Sequence, residues 1–483
     1  MNEVTLEIDG RKIKVEKGLT ILEAAKGIGI DIPTLCYHPL VSPSGACRLC
    51  SVEVERRGRK NIVASCVYPV EEGLVVNTKS PEVIKVRKMI IELLMARSPN
   101  VKIIQDLAQE YGIKETRFEL EDETCILCGL CTRICEERVG VSAINFINRG
   151  VNRMIEGPLE DHLGTNLSDM CIGCGACAYV CPTGTIGLED LYKKIRSSFP
   201  FGTVEERTFG RRSGEDEVLG IYKNCYAVRS KKEDILERAQ DGGAVTSLLA
   251  YALESGMIDA AVITVADNSW EPTTKVATSY DDLKEGAGTK YTFYPSGIGI
   301  SEAVNKGYED IGFVGTPCQT EGLRKILTSN QPYSIGKEKI KLLVGLFCLD
   351  TFKQELMGFI NDKITRLGEV GKLDIKGRDL NIYEKNGEMH AVPLSDIEGY
   401  VNKGCFACTD FSSELADISI GSVGSDMGWS TVITRTDRGV ALLEGAINDG
   451  YVEAKELKDL KLLIRLAKIK RKRAKKETGT TRP

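Results

Sequence analysis

The sequence predicts a multidomain chain that joins α+β and α/β architecture, and three observations carry that reading. The first eighty residues alternate in polarity and then turn helical; two tight cysteine runs fill the middle; and apolar runs alternate with helical segments from Gly220 onward. The 483 residues leave room for two to four domains. An apolar fraction of 42% and a charged fraction of 28% are those of an ordinary globular protein. A net charge of −5 makes no electrostatic case for nucleic acid. The opening MNEVTLEIDG has neither a basic nor an apolar leader region, and no window approaches the roughly 18 apolar residues of a membrane span. The chain is therefore expected to be cytoplasmic, with no direct membrane span.

Sixteen of the seventeen cysteines fall into four groups of four. Four soft thiolates are what an iron–sulfur core requires. Disulfides are the alternative, but they suit oxidising compartments, and the CxxCxxC spacing with no export signal argues against them. Only three histidines are present (His38, His162 and His390), too few to suggest a haem or a catalytic zinc.

Residues 1–80 open with VTLEIDG and RKIKVE flanking the Asp9–Gly10 turn, a hairpin, followed by the helical ILEAAKGIGI. Strand, strand, helix is the order of a β-grasp domain. Cys36, Cys47, Cys50 and Cys66 follow, with a first gap longer than that of plant-type ferredoxins. A Cys₄ zinc site is the competing reading of the four thiols. His38 is read as a surface or packing residue and not as a ligand. The segment CYHPLVSPSGACRLCSVEV…ASCVYPV resembles the [2Fe–2S] segment that opens the large peripheral subunit of complex I and related hydrogenase and formate dehydrogenase subunits. The small residues Ser44, Gly45 and Ala46 would let backbone N–H groups approach cluster sulfur. Residues 81–117 read as a helical connector that starts at Pro81. In those families this stretch carries a further His-and-Cys cluster motif, which Ala96–Asn100 and the residues after it lack.

Residues 118–190 hold two C-x₂-C-x₂-C-x₃-C runs: Cys125, Cys128, Cys131, Cys135, and Cys171, Cys174, Cys177, Cys181 followed by Pro182. This is the bacterial two-[4Fe–4S] ferredoxin signature, in which the fourth cysteine of each run serves the other cluster. One set is then Cys125, Cys128, Cys131 and Cys181, and the other Cys171, Cys174, Cys177 and Cys135. Zinc-ribbon pairing would leave the third cysteine of each run without a purpose. The polar stretch 191–217 is expected to be a linker.

In residues 218–440, MIDAAVITVAD, IGFVGTPC and IKLLVGLFC read as buried strands, each with a helix nearby in sequence, so an α/β core with partly parallel pairing follows. Such sheets bind ligands beyond the carboxyl ends of their strands. Cys318 and Cys348 stand at two of those ends, and Cys405 and Cys408 follow as a CxxC; count and topology group them as a fourth cluster. No G-x-G-x-x-G and no P-loop motif occurs, which weakens a nicotinamide site of the dinucleotide-fold type. Cys225 is read as a buried structural thiol. Residues 441–483 are expected to form a helix and a basic tail, RLAKIKRKRAKK, read as a solvated face or a steering device for an anionic substrate.

DGGAVTSLLAYALESGMIDAAV, AGTKYTFYPSG, FVGTPCQTEGLR, GLFC and CFACTDFSSELADISIGSVGSDMGWSTVI resemble the beta-subunit family of coenzyme F420-dependent hydrogenases and dehydrogenases. The resemblance implies an α/β FAD-binding catalytic domain with a [4Fe–4S] cluster on Cys318, Cys348, Cys405 and Cys408, exchanging hydride with coenzyme F420. It points to Gly242, Gly243 and Thr246 for the FAD pyrophosphate, and to Gly288, Thr289, Lys290 and Tyr291 for flavin or phosphate. Lys376, Gly377 and Arg378 are a second such loop, and Ser422, Val423 and Gly424 would line the cluster–flavin junction. A flavin also meets a chemical need, because a hydride donor delivers two electrons at once and clusters accept them singly. The expected complement is one [2Fe–2S], three [4Fe–4S] and FAD, with coenzyme F420 as diffusible co-substrate. The expected partner is a formate dehydrogenase, hydrogenase or disulfide reductase subunit, or ferredoxin. Two alternatives stand beside this reading: a related flavin enzyme with another hydride donor, and a non-catalytic electron wire.

Overall fold

The computed structural model describes residues 3–159, 170–198, 201–331 and 333–478. Its contacts divide into two units: Met1–Ile134 with Asn145–Ile155 and Val180–Ile186, and Cys135–Ile144 with Glu156–Tyr179 and Gly187–Pro483. His162 lies outside the described residues.

The first unit is built on strands β1 (Glu3–Ile8), β2 (Arg11–Glu16), β3 (Ser51–Arg56), β4 (Arg59–Ala64) and β5 (Val75–Asn77), in the order β2-β1-β5-β3-β4. Asp9 and Gly10 both take positive φ, 49° and 80°, the geometry that a two-residue hairpin turn demands. The Asp9 carboxylate accepts from Thr78 N at 2.7 Å and Thr78 Oγ1 at 2.6 Å, which ties the turn to the end of β5. Thr20 and Glu23 form a capping box at the helix Ile21–Gly27, a feature contributing about 1 kcal/mol. That helix buries Ile21, Leu22, Ala24 and Ala25 against Leu6, Ile8, Val52 and Val54. Helices Pro81–Arg97 and Lys102–Glu110 pack Ile91 and Ile104 onto Leu35 and Leu49, beside two of the cysteines. A short ladder of β6 (Asn145–Ile147) and β7 (Met154–Glu156) follows.

The second unit centres on an eight-stranded sheet. Its strands are β8 (Asn224–Ser230), β9 (Ala260–Ala266), β10 (Pro272–Ala277), β11 (Ile311–Gly315) and β12 (Ile340–Leu346), with β16 (Ile418–Gly421), β17 (Ser430–Thr434) and β18 (Val452–Glu456). The order is β10-β9-β11-β12-β16-β17-β8-β18, and β9, β11, β12 and β16 run parallel. The apolar runs of the sequence become these central strands because they are covered on both faces. Strands β13 (Val370–Lys376), β14 (Asp379–Glu384) and β15 (Met389–Pro393) form a separate antiparallel meander with its own core around Leu373, Leu380 and Ile382. Behind β12 and β16 lies a buried ion pair: Arg324 Nη2 donates to Asp417 Oδ1 at 2.9 Å, and Asp417 Oδ2 accepts from Leu343 N at 2.8 Å. It fixes the helix Pro317–Thr328, which carries Cys318, against the strands.

Two expectations are corrected here. Residues 191–217 are not a plain linker: helices Leu188–Ser198 and Phe201–Phe209 occupy much of that stretch, and Leu191, Phe201 and Val204 are buried. The few apolar residues of this polar stretch sit at helical spacing and suffice to dock it. Nor is the basic tail wholly solvated, since Leu463, Ala467, Lys470 and Ala474 form a buried stripe on the helix Lys461–Thr478. No helix among the described residues is long and apolar enough to cross a membrane.

Candidate metal centres and cofactor cavity

The β3–β4 hairpin explains the first thiol set. Ser51 pairs with Ala64, so Cys50 and Cys66, just beyond the strand ends, lie side by side. Ser65 fixes them by donating to Cys50 O from both its N, at 3.1 Å, and its Oγ, at 2.8 Å. Cys47 N donates to Cys36 Sγ at 3.4 Å. Cys36 contacts Cys47 and Cys66, and Cys50 contacts Cys66, so the four thiols form a chain of neighbours: Cys47 and Cys66 hold the Cys36 thiol well down, and Cys66 holds Cys50 down to about 6. The His38 ring accepts from Leu40 N at 3.3 Å, and burial pulls its pKa down.

In the same unit Cys125, Cys128 and Cys131 each feel the charge of Cys181. Burial pushes Cys128 up to about 11 and Cys131 up to about 12. Gly129, at φ 71°, makes the turn between them, and the ring of Phe146 stands 3.0 Å from where a Cβ would be. In the second unit Cys135, Cys171, Cys174 and Cys177 line one small cavity whose other walls are Val139, Val141, Ile144, Ile172 and Leu191. Ala143 N donates to Cys135 Sγ at 3.2 Å. The eight thiols are thus grouped in the crossed manner, each trio with the fourth cysteine of the other run.

The fourth set is assembled from distant segments. Cys318 opens the helix after β11, Cys348 follows β12, and Cys405 and Cys408 lie in and just after the short helix Lys403–Ala407. Cys348 feels Cys405, Cys318 and Cys408, and burial drives its thiol far up. Thr316 Oγ1 lies 3.4 Å from Cys318 Sγ, and Thr351 N donates to Cys405 Sγ at 3.3 Å. Sequence reasoning missed three neighbours. The Tyr192 ring faces Cys318 from the helix Leu188–Ser198. Lys470 Nζ donates to Cys348 O at 2.5 Å, and Arg473 pairs with Asp350 at 2.6 Å. Burial pulls the Lys470 ammonium down, but Cys408, Cys348, Cys405 and Asp350 together more than reverse that. A cation on the apolar stripe of the last helix was the available signal.

A cavity of about 280 Å³ opens beyond the carboxyl ends of β9, β11, β12 and β16. Gly243, Thr246, Gly288, Thr289, Lys290, Tyr291 and Ser422 line it, as do Thr316 and Thr351, which also contact the sulfurs of Cys318 and Cys405. Gly243, at φ 69°, starts the helix Ala244–Glu254 without a side-chain cap, so its first N–H groups stay available. Lys290 Nζ donates to the carbonyls of Gly286, Ala287 and Gly288, and burial pulls it down to about 8. Several buried polar atoms at this cavity have no partner among the described residues: both amide atoms of Gln240, Gln319 Oε1 and the Tyr294 hydroxyl. Tyr294 is 5% and Gln319 6% exposed, and groups so buried ordinarily have partners. A ligand with both polar and apolar parts suits that combination of orphaned donors, acceptors and apolar wall.

The remaining candidates lie elsewhere. Gly242 packs against the sheet, where a Cβ would sit 2.4 Å from Val228 O. Lys376, Gly377 and Arg378 form the β13–β14 hairpin turn, with Gly377 at φ 66° and Lys376 paired to Asp374; Lys376 also feels the charge of Asp241, a residue of the cavity wall. Val423 packs with the last helix, and Gly424 leaves room for Leu463. Cys225 is buried on β8, opposite Ile433.

Comparison with known proteins adds four family matches. "Coenzyme F420 hydrogenase/dehydrogenase, beta subunit N-term" matches residues 225–297, and the corresponding C-terminal family matches 308–460. A "2Fe-2S iron-sulfur cluster binding domain" matches 1–81 and a "4Fe-4S dicluster domain" 124–185. The chain is 42% identical over 267 residues to the coenzyme F420 hydrogenase subunit beta of Methanothermobacter thermautotrophicus, covering 54% of this chain and 95% of that one. It is 35% identical over 284 residues to the NADP-reducing hydrogenase subunit HndD of Solidesulfovibrio fructosivorans, covering 52% of this chain and 45% of that one. A chain of the F420-reducing [NiFe] hydrogenase complex from Methanosarcina barkeri superposes with a TM-score of 0.52 at 36% identity, over 55% of this chain and 94% of that one.

Proposed function

The chain belongs to the coenzyme F420 hydrogenase/dehydrogenase beta-subunit family, as an iron–sulfur oxidoreductase subunit, and from that premise we propose that it exchanges hydride between coenzyme F420 and a bound FAD. The thiols Cys36, Cys47, Cys50 and Cys66 would hold one [2Fe–2S] cluster and the other twelve three [4Fe–4S] clusters, which would supply a one-electron route to or from a partner subunit of the hydrogenase, formate dehydrogenase or disulfide reductase type, or ferredoxin. FAD, when bound, supplies the conversion between hydride and single electrons. The chain's own residues hold and orient. The first turn of the helix Ala244–Glu254 presents N–H groups and a positive dipole end to a pyrophosphate. Lys290 adds a cation on the same cavity wall, and Gln240, Gln319 and Tyr294 offer unpaired donors and acceptors to a ring's polar edge.

The observation that carries this reading is the shared wall: Thr316 and Thr351 face the cavity and also contact the sulfurs of Cys318 and Cys405. Backbone N–H groups directed at Cys36, Cys135 and Cys405 support clusters, since such donors tune cluster sulfur. Anaerobic analysis of the full chain tests it. About 14 irons with matching sulfide and one FAD per chain are expected, and reduced coenzyme F420 should bleach the flavin in a stopped-flow mixing experiment. Zinc in place of iron, or no flavin, overturns the reading; bleaching by NADH or NADPH alone redirects it to another hydride donor.

A further inference from the structure

The helix Lys461–Thr478 starts immediately after the end of the family match at residue 460. Its inward stripe is Leu463, Ala467, Lys470 and Ala474, at intervals of four, three and four residues, and three of these four are apolar. A lysine at such a position is costly unless something at that site uses its charge. Lys470 is 2% exposed, and its Nζ donates to Cys348 O at 2.5 Å. One turn on, Arg473 donates to both carboxylate oxygens of Asp350, at 2.8 and 2.6 Å, and to the carbonyls of Leu349, at 3.2 Å, and Cys405, at 3.4 Å. Arg473 thus has a carboxylate of its own, and Arg471 has Glu414. Among the described residues Lys470 has no carboxylate within ion-pair distance, so its charge is left for the thiol set.

We infer that Lys470 tunes the redox potential of the cluster that Cys318, Cys348, Cys405 and Cys408 would hold, by placing an unneutralised buried cation beside it. This rests on the cluster assignment proposed above. The step concerned is a one-electron reduction: the cluster gains an electron from reduced flavin, which is oxidised, and Lys470 keeps its proton throughout. Adding an electron adds negative charge in a poorly screened site, so a fixed cation stabilises the reduced state. Arg473 positions the Cys348 and Cys405 loops by holding their carbonyls and Asp350.

The test is an anaerobic redox titration of the full chain followed by electron paramagnetic resonance, with Cys408→Ser identifying the signal that belongs to this cluster. Lys470→Met should leave the iron content unchanged and lower that cluster's potential, so that the reduced-to-oxidised ratio at fixed potential falls about tenfold, or about 59 mV for one electron. Lys470→Arg should stay near the parent value. Asp350→Asn removes the nearby negative charge and should move the potential the opposite way, giving a second reading if Lys470→Met does not fold. Unchanged potentials in Lys470→Met, or in Asp350→Asn where that is the variant that folds, overturn the inference while leaving the cluster assignment intact. Parent protein that lacks the Cys408-dependent signal overturns the assignment instead.

Discussion

The thiol sets of the first unit and the fourth set are built in different ways. Cys125, Cys128 and Cys131 are delivered by one turn of chain, and Cys50 and Cys66 by the two ends of one hairpin. Cys318, Cys348, Cys405 and Cys408 come from three segments that only the parallel sheet brings together. The first kind of site takes two or three of its thiols from one short stretch, and a cysteine from further along the chain, such as Cys181, completes it. The second depends on β11, β12 and β16 being in register, and it takes a cation from the last helix. The difference teaches that a cysteine spacing and a cysteine site are separable, since a sheet can do what spacing does elsewhere.

The largest expected effect comes from removing a ligand on each side of that contrast. Cys128→Ser and Cys348→Ser should each lower the iron content from about 14 to about 10 per chain. They should differ in flavin chemistry. With Cys348→Ser, flavin bleached by reduced coenzyme F420 should stay bleached when an external one-electron acceptor is added, whereas Cys128→Ser should still pass electrons to the fourth cluster. Iron analysis with stopped-flow absorbance measures both, and equal reoxidation in the two variants would break the comparison.

Asp417→Ala asks whether the fourth set depends on the sheet. It strands Arg324, which is otherwise bonded to Asp417 and to Leu415 O at 2.8 Å, and frees Leu343 N. Removing one partner of a buried pair costs about 3–5 kcal/mol. The melting transition of the second unit should fall and the fourth-cluster signal should be lost first. The [2Fe–2S] circular dichroism signal should melt where it does in the parent.

Arg133→Met is the counterpart in the first unit. The guanidinium donates to the carbonyls of Cys36 at 2.8 Å, Cys128 at 3.3 Å and Ser42, so it joins the loops of two thiol sets. Charged hydrogen bonds contribute about 1.5–3 kcal/mol, and losing this fork should destabilise the first unit by about 2 kcal/mol. Lys in its place should restore little, because one ammonium cannot span the three carbonyls. Denaturant unfolding followed at the [2Fe–2S] absorbance measures the effect.

The same contrast explains what was legible. The hairpin at Asp9–Gly10 and the two C-x₂-C-x₂-C-x₃-C runs are statements about adjacent residues, and the structure realises them as adjacent residues. The placement of Cys318 and Cys348 at strand ends was readable because apolar runs mark buried parallel strands. The hairpin at Lys376–Arg378 was not legible, because a Lys-Gly-Arg triplet suits a phosphate loop and a hairpin turn equally well, and it takes the pairing of Lys376 with Asp379 to reveal the turn. Gln240, Gln319 and Tyr294 carried no local signal, since a cavity wall drawn from several segments has no spacing. Lys470 was hidden inside a run of like charges, where one buried member looks like its solvated neighbours.

The smallest predicted effect is a pH dependence at the cavity. Lys290 is tied to three carbonyls, forms no ion pair among the described residues, and is pulled down by burial to about 8. An unfolded lysine titrates near 10.4. Between these values the folded chain binds fewer protons than the unfolded one, so this group penalises the ligand-free fold below pH 8 and the penalty fades as pH rises toward about 10. An anion on the same wall reverses the preference, because it favours the ammonium. FAD binding to flavin-stripped protein should therefore be tightest below pH 8 and weaken above it, by at most about tenfold per pH unit. Fluorescence titration of FAD between pH 6.5 and 9.5 measures this. Lys290→Met should be uniformly weak and flat with pH, and Lys290→Arg should bind without the loss above pH 8. A pH-dependent Lys290→Met would mean that another group on the cavity wall carries the effect.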